Sequence, residues 1–319
     1  MIIDVQNLTV RLPSADGPKT VIRDISFQLE RGEVLGVVGE SGCGKSVTNL
    51  ALMGLLPRGA DVEASRLRLC GHDLLTLRKR DWPAIRGRRA TMIFQNPMSA
   101  LNPSLTIGSQ LAETLRRTEP GLDKRGLARR GAELLEQVGI ASPGARLASY
   151  PHQLSGGMAQ RAMIAMALAC RPDLLIADEP TTALDVTIQR QILDLLLEAR
   201  RQRGMSILLV SHDIGVIGEY TDRIQVMYSG EIVETGSAAM LTGLPAHPYT
   251  QGLLAARPTH ALPPKTVLPT IPGTVPPIGQ AIAGCRFSSR CPRAEAGCAQ
   301  PPALKPRAGH DAATYRCHL

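Results

Sequence analysis

The sequence is poor in aromatic residues, which make up 3% of its 319 residues and include a single tryptophan. Proteins that bind single-stranded nucleic acid stack bases on aromatic side chains, so this scarcity argues against a nucleic-acid partner. Lysine is also scarce, since six of the 36 basic residues are lysine and the others are arginine. The net charge of +8 suits an anionic partner such as a nucleotide or lipid head groups, although a genomic preference for arginine explains it equally well.

Long apolar segments are missing as well. The longest uninterrupted one, "AMIAMALAC" (162–170), has about half the length that a membrane-spanning helix needs. The N-terminal stretch "MIIDVQNLTVRLP" alternates apolar and polar residues and lacks the basic start and apolar core of a signal peptide. We therefore expect a soluble cytoplasmic protein, and disulfides are rare in that compartment.

The order of elements predicts an α/β fold with a parallel sheet. Strand-like stretches come first, over residues 2–10, 21–29 and 33–38, and helical periodicity follows over 107–138. After that, strands alternate with helices, including a predicted helix over 186–203. A hairpin is predicted around Ser229 and Gly230. Thirteen of the 24 prolines lie beyond Gly243, so a boundary is placed near His247 and divides the chain into 1–246 and 247–319.

The stretch "GESGCGKS" fits the P-loop pattern and lies between a predicted strand and a predicted helix. Backbone N–H groups of such a loop bind phosphate oxygens, its lysine reaches the terminal phosphates, and its serine hydroxyl binds magnesium. The pattern therefore predicts a nucleotide site with Mg²⁺. The residues assigned to it here are Gly39, Glu40, Ser41, Gly42, Cys43, Gly44, Lys45, Ser46 and Val47.

A second motif, "LLIADEP", is a predicted buried strand that ends in Asp178 and Glu179. Acidic pairs at strand ends are often helix caps. After a P-loop, however, the first carboxylate suits magnesium and the second suits the orientation or deprotonation of an attacking water.

A third motif, "LSGGMAQR", gives a helix that Ser155 caps, and Gly156 and Gly157 allow an anion to approach its N-terminus. This motif resembles the signature of the ABC ATPases, and the resemblance extends in order over the first 245 residues. It implies a RecA-like core with an antiparallel β-subdomain and an α-helical subdomain inserted at about 97–170. It also implies that the signature, Gln160 included, contacts ATP held by a second subunit.

The remaining ABC motifs are present in the expected order. By analogy, Gln95 in "IFQNP" contacts magnesium and water, Asp185 in "ALD" belongs to the D-loop, and His212 in "SHD" contacts the γ-phosphate. The predicted catalytic set is Lys45, Gln95, Glu179 and His212, and the predicted magnesium ligands are Ser46, Gln95 and Asp178.

Longer strings, among them "DEPTTALDVTIQ" and "HPYTQGLL", are similar to the peptide and nickel importer branch of that family. The resemblance implies an ATPase that energises import of dipeptides or oligopeptides, with nickel, metal chelates or glutathione as alternatives. It implies a second ATPase subunit as a heterodimer partner, two membrane permease subunits, an external binding protein and a place on the cytoplasmic face of the bacterial inner membrane. A soluble ABC ATPase that acts on nucleic acid or ribosomes is the competing class, but such relatives have tandem ATPase domains or coiled-coil insertions.

ABC ATPases usually stack adenine on an aromatic residue ahead of the P-loop, and here that place is occupied by Leu12.

The segment 95–107, "QNPMSALNPSLTI", is rich in turn residues and is expected to receive the membrane subunits, with Ser99 and Leu101 at the contact.

Four of the seven cysteines lie in the last 35 residues, separated by five, six and eighteen residues. The compartment disfavours disulfides, and structural zinc usually shows a closer cysteine pair. The spacing alone is compatible with a metal site and also with cysteines that share no function. Some peptide-permease ATPases that this tail resembles carry a [4Fe–4S] cluster, which implies that cluster here, with zinc as the alternative. Its predicted ligands are Cys285, Cys291, Cys298 and Cys317.

Overall fold

The computed structural model describes residues 1–181, 185–257 and 267–319. The strands within these ranges are β1 (Ile3–Leu12), β2 (Lys19–Leu29), β3 (Val34–Val38), β4 (Asp61–Glu63), β5 (Arg66–Leu69), β6 (His72–Asp73), β7 (Ala90–Ile93), β8 (Leu174–Asp178), β9 (Ser206–Ser211), β10 (Arg223–Tyr228), β11 (Glu231–Ser237), β12 (Lys305–Arg307) and β13 (His310–Tyr315). The α-helices are α1 (Lys45–Leu52), α2 (Pro97–Ala100), α3 (Ile107–Thr118), α4 (Lys124–Gln137), α5 (Pro143–Arg146), α6 (Gly156–Ala169), α7 (Val186–Arg203), α8 (Ile214–Tyr220), α9 (Ala238–Gly243) and α10 (Pro248–Ala255).

The first strands form the predicted antiparallel β-subdomain. β1 pairs antiparallel with β2, β4 and β5, and β6 extends the sheet beyond β5. Apolar residues of β1 such as Val5, Leu8 and Val10 are fully buried and alternate irregularly with polar residues, most of which are half-buried or exposed. One face of this sheet therefore packs against the core, as the alternation in the sequence predicts.

The larger sheet has the order β12-β13-β11-β10-β3-β9-β8-β7, and its strands from β10 to β7 run parallel. Every residue of β3, β8 and β9 is buried, because a parallel sheet is covered on both faces. Parallel strands place their carboxyl ends at one edge. The P-loop after β3 and the carboxylates at the end of β8 therefore meet at that edge.

Two hydrophobic cores lie on opposite faces of this sheet. Val34 and Val38 of β3 belong to the core shared with the helices, whereas Leu35 and Val37 belong to the core shared with the β-subdomain. This division follows from the two-residue periodicity of a strand. β3 therefore links both subdomains and fixes the start of the P-loop relative to each.

The helices α2 to α6 lie within about 97–170, the range in which the resemblance implies a helical subdomain. In α3, Ile107, Leu111 and Leu115 recur every four residues and are buried, which places one face of the helix in the core. Over the described ranges, the structure shows no helix that combines the length and the apolarity needed to cross a membrane.

The chain remains packed against the core beyond the predicted boundary at His247. His247 is 1% exposed and caps α10, and Tyr249 is fully buried with its ring against Tyr228 and Phe287. Further on, β13 pairs with β11 and extends the central sheet. The C-terminal extension, residues 247–319, is thus hydrogen-bonded into the central sheet.

Candidate functional site

The P-loop follows β3 and leads directly into α1. Gly42 and Gly44 have φ angles of 81° and 107°, in the left-handed region that favours glycine. A Cβ atom on Gly39 would overlap the carbonyl oxygen of Met227. These glycines let the loop turn tightly and present its N–H groups at the positive end of α1, where phosphate binds favourably.

The P-loop borders a cavity whose lining contains most of the predicted nucleotide residues and one residue of the extension. Two residues that were predicted to contact the nucleotide have side chains that are engaged elsewhere. The side chain of Cys43 is fully buried, and the carboxylate of Glu40 pairs with Arg290. Cys43 and Glu40 can therefore contribute their backbone to the site, while their side chains serve the packing around it. The lining residues are Val21, Ser41, Gly42, Gly44, Lys45, Ser46, Val47, Gln95, Glu179 and Ile278.

Three of the predicted catalytic side chains converge on the carboxylate of the fourth, Glu179. Gln95 Nε2 donates to Glu179 Oε2 at 2.9 Å, and His212 Nδ1 lies 3.5 Å from the same oxygen. Lys45 Nζ lies 3.8 Å from Glu179 Oε1 and donates to the carbonyl oxygen of Gly39 at 2.7 Å. This arrangement places a carboxylate, an amide and an ammonium group at the cavity that the P-loop borders, with the His212 imidazole beside the carboxylate.

The protonation of His212 depends on Glu179. The hydrogen bond to the Glu179 carboxylate raises the pKa of His212, and partial burial opposes that rise. The imidazole side chain is 60% exposed, so water competes for it. His212 is therefore held beside the Glu179 carboxylate with much of its ring exposed to solvent.

Ser46 and Asp178 form a site that suits a divalent cation. Burial raises the pKa of Asp178, and a hydrogen bond with Ser46 opposes that rise. In the described part of the chain, Asp178 Oδ1 is buried without a hydrogen-bond partner. A buried carboxylate oxygen with free lone pairs beside a hydroxyl is a donor set that Mg²⁺ prefers. Gln95, the third predicted ligand, is bound to Glu179 instead.

The signature residues lie at the N-terminus of α6. Ser155 caps this helix by accepting the N–H of Met158 at 3.3 Å, and both Ser155 and Gly156 are exposed. Gln160 differs from the prediction, because its side chain is 3% exposed and does not lie on this surface. In the D-loop, Asp185 caps α7 through the N–H of Ile188 at 2.9 Å, while residues 182–184 lie outside the described ranges.

The tail cysteines come together, but they do not form a recognisable metal centre. Burial raises the pKa of Cys285, and its neighbours Cys298, Cys317 and Cys291 raise it further, so the Cys285 thiol lies near the other three. The N–H of Cys285 also donates to the carbonyl oxygen of Cys298 at 2.9 Å. Among the described residues, however, no group of three or more His, Cys, Asp or Glu could hold a metal ion. The expectation of a [4Fe–4S] site is thus unsupported by the arrangement of these side chains.

Sequence reasoning missed the residues through which the extension reaches the site. Arg290 pairs with Glu40 of the P-loop at 2.6 Å, and Tyr249 Oη accepts the Glu40 N–H at 2.8 Å. Ile278 lines the cavity itself. Arg290 and Ile278 come from a stretch without helical or strand periodicity, so no local signal identifies them, and the string "HPYTQGLL" that contains Tyr249 does not reveal this contact.

Comparisons with known proteins agree with the geometry. The chain matches the family model described as ABC transporter over residues 22–182, and the model described as Oligopeptide/dipeptide transporter, C-terminal region, over residues 233–298. It is 46% identical to the dipeptide transport ATP-binding protein DppD of Escherichia coli (strain K12), over 99% of this chain and 96% of that protein. It is 47% identical to DppD of Bacillus subtilis (strain 168), over 91% of this chain and 87% of that protein.

Solved structures show the same fold. The dimeric, post-hydrolysis structure of the ATP-binding cassette MJ0796 bound to ADP and Pi has a TM-score of 0.67 and 25% identity, and it covers 74% of this chain and 99% of that one. The structure of cbiO1 from Clostridium perfringens, part of the transporter complex cbiONQ, has a TM-score of 0.63 and 25% identity, and it covers 76% of this chain and 91% of that one.

Proposed function

The chain belongs to the ABC transporter family, and on that premise we propose that it is the ATP-hydrolysing subunit of a binding-protein-dependent importer of dipeptides or oligopeptides. The convergence of Lys45, Gln95 and His212 on the Glu179 carboxylate is the structural observation that supports hydrolysis. The near-complete alignment with dipeptide transport ATP-binding proteins supports the substrate class.

The residues divide the chemistry among them. The P-loop N–H groups and Lys45 bind and neutralise the phosphates, where charge develops during phosphoryl transfer. Glu179 accepts the proton of the attacking water, and its carboxylate is oriented by the amide of Gln95 at 2.9 Å. His212, beside the same carboxylate, adds a donor toward the terminal phosphate. Ser46 and Asp178 would hold Mg²⁺, which supplies neutralisation of the phosphate charge.

Replacement of the proposed base tests this function. Glu179→Gln keeps the shape and the contact with Gln95 but removes proton acceptance, so ATP binding should remain and turnover should fall by about a hundredfold. The measurement is ATP hydrolysis by the assembled transporter, with nucleotide binding measured separately. Glu219→Gln is the matched control, because Glu219 is an exposed glutamate that pairs with Arg190 on the surface. Equal turnover in the two variants would remove Glu179 from this role.

The transported ligand is a separate part of the proposal. Dipeptides and oligopeptides are favoured, and nickel, metal chelates and glutathione are the alternatives within the same architecture. Mass spectrometry of ligands bound to the cognate binding protein distinguishes them. Co-purification with ribosomes or DNA, and without membrane subunits, would favour the competing class of soluble ABC ATPases.

The proposed partners are a second ATPase subunit and two permease subunits on the cytoplasmic face of the inner membrane. Three large apolar side chains in or next to the segment 95–107 are exposed, namely Phe94, Met98 and Leu105, at 37%, 42% and 38%. Such a surface suits docking of permease helices. Leu101 does not belong to it, since it is 3% exposed. A photo-crosslinking side chain at Ser99 should reach the permease, and one at exposed Ser14 should not. The reverse pattern would move the docking surface elsewhere.

We also propose that Cys285, Cys291, Cys298 and Cys317 ligate a [4Fe–4S] cluster. The assignment is supported by the resemblance of this four-cysteine tail to those of peptide-permease ATPases that carry such a cluster, since the described side chains form no metal-binding group by themselves. Because the thiols lack a preformed metal arrangement, binding requires them to rearrange locally. When bound, the cluster supplies a crosslink within the extension. It supplies no group to the hydrolytic site.

Anaerobic purification tests this assignment. The protein should be brown with broad absorption near about 400 nm, as iron–sulfur proteins are. Cys291→Ser should abolish the colour, and Cys170→Ser, at a half-buried cysteine of the ATPase core, should not. A colourless preparation that contains zinc would favour the alternative metal, and one without any metal would contradict both.

A further inference from the structure

A segment of the extension, residues 271–280, runs beside the nucleotide cavity; we call it the strap. Its sequence is "IPGTVPPIGQ", and it has neither helix nor strand. Its residue Ile278 lines the cavity together with Val21 and the P-loop, and it is 50% exposed. A half-exposed isoleucine beside a phosphate-binding loop leaves apolar surface available to a bound nucleotide.

Two buried arginines hold the strap at both ends. Arg290, 5% exposed, donates from Nε to the carbonyl oxygen of Pro272 at 2.7 Å. Arg286, 7% exposed, donates to the carbonyl oxygen of Gln280 at 3.3 Å and to Ser229 Oγ at 3.0 Å. The position of the strap is thus fixed by side chains that are themselves enclosed in the fold.

The same Arg290 also connects the strap with the P-loop. Its guanidinium binds both carboxylate oxygens of Glu40, at 2.6 and 2.9 Å. A bidentate pair of this kind fixes orientation as well as distance. The strap therefore keeps a defined position relative to the loop that binds the phosphates.

The base of a bound nucleotide needs an apolar surface to pack against. At the position where ABC ATPases usually have an aromatic residue, this chain has Leu12. Leu12 packs against the core of the β-subdomain. Val21 and Ile278 supply aliphatic surface in the cavity lining beside the phosphate-binding loop. Burial of a flat heterocycle against aliphatic carbons is favourable because both surfaces leave water.

We propose that Ile278 is a nucleotide-contacting residue that packs against the base, and that the strap positions it. The inference rests on the nucleotide binding assigned above and adds a residue from the extension to that site. It predicts that Ile278 contributes to recognition of the base and not of the phosphates.

Binding of two probes separates these contributions. ATP has a base, and inorganic triphosphate has phosphates alone, so competition against a fluorescent ATP analogue should be measured with both for the full chain. Ile278→Ala should weaken ATP about fivefold, because it removes three partly buried carbons, and leave triphosphate unchanged. Ile278→Phe should bind ATP at least as tightly as the unchanged protein, since an aromatic ring can stack on the base.

Val267→Ala is the matched control, because Val267 lies in the same extension, is 91% exposed and is not among the residues that line the cavity. It should leave both affinities unchanged. Equal weakening of ATP and triphosphate by Ile278→Ala would show that the residue only supports the P-loop, and unchanged ATP affinity would show that it makes no contact. Either result overturns the inference. Failure of the unchanged protein to bind ATP would instead contradict the proposed function.

Discussion

At the scale of single residues, His247 links the fold to pH. Its imidazole is 1% exposed, and Nδ1 accepts the N–H of Tyr249 at 3.0 Å, so the neutral ring is the form that fits. Burial lowers the pKa of His247 to about 4, from an ordinary value of 6.5. The unfolded chain therefore takes up a proton at a higher pH than the folded chain does. The stability conferred by the neutral ring is complete above pH 6.5 and is lost as pH falls toward 4.

We expect the free energy of unfolding to fall by up to about 3 kcal/mol over this range through His247 alone. Denaturant unfolding at several pH values measures it. Buried Glu234 lies next to His247, and burial raises its pKa, so its titration acts in the opposite sense. His247→Asn keeps a helix-capping side chain but does not titrate, so the free energy of unfolding should depend less on pH in this variant. His72→Asn, at an exposed strand position, should not change this dependence. The same pH dependence of the free energy of unfolding in the unchanged protein and in both variants would contradict the prediction.

At the scale of elements, the hairpin formed by β10 and β11 holds the P-loop through its turn. Its turn residues Ser229 and Gly230 have φ angles of 47° and 85°, as a two-residue hairpin with the right-handed strand twist requires. The Gly230 N–H donates to the carbonyl oxygen of Cys43 in the P-loop at 2.9 Å. A Cβ on Gly230 would overlap the carbonyl oxygen of Val21, whose side chain lines the cavity.

Gly230→Ala should therefore destabilise the protein by about 2 kcal/mol or more, through a positive φ and a backbone clash, and weaken ATP binding. Gly243→Ala is the matched control, since the space around Gly243 is open and it ends α9. That control should change stability by about 0.5 kcal/mol at most. Thermal unfolding with and without ATP measures both effects. Similar values for the two variants would show that the turn relaxes without cost.

At the scale of the whole molecule, the exposed signature predicts a site shared between two subunits. Gly156 is exposed, and a side chain there would meet no neighbour within 4 Å, so the chain's own fold tolerates substitution. In Gly156→Asp, a carboxylate at the start of α6 would repel the phosphates of a nucleotide held by the partner. We expect unchanged stability and unchanged ATP binding by the isolated chain, with turnover of the assembled transporter lowered about a hundredfold.

Gly144→Asp tests the specificity of this effect, because Gly144 is equally open and lies in the short helix α5. Two measurements are needed for both variants. One is sedimentation of the chain in the presence of ATP, and the other is ATP hydrolysis by the assembled transporter. Normal turnover in Gly156→Asp would show that the signature does not approach a second nucleotide.

Elements and motifs whose signals are local can be predicted from the amino-acid sequence. The helix predicted over 186–203 is α7, and the early strands begin and end within about two residues of their predicted bounds. The positions of the P-loop, Asp178 and Glu179 after their strands were also predictable, because each motif combines residue types with a strand–loop context, whereas Gln95 was located by the resemblance to the ABC motifs. Local periodicity and fixed spacing suffice for such features.

Tertiary structure alone decided which distant segments meet. Arg290 and Glu40 pair across 250 residues of sequence, and Ile278 reaches the cavity from a stretch without any pattern. The burial of Leu101 and Gln160, both expected at contacts with partners, likewise depends on packing between helices. These outcomes follow from the summed burial and hydrogen bonding of the whole chain, because a side chain's partners across the fold have no counterpart in its local sequence.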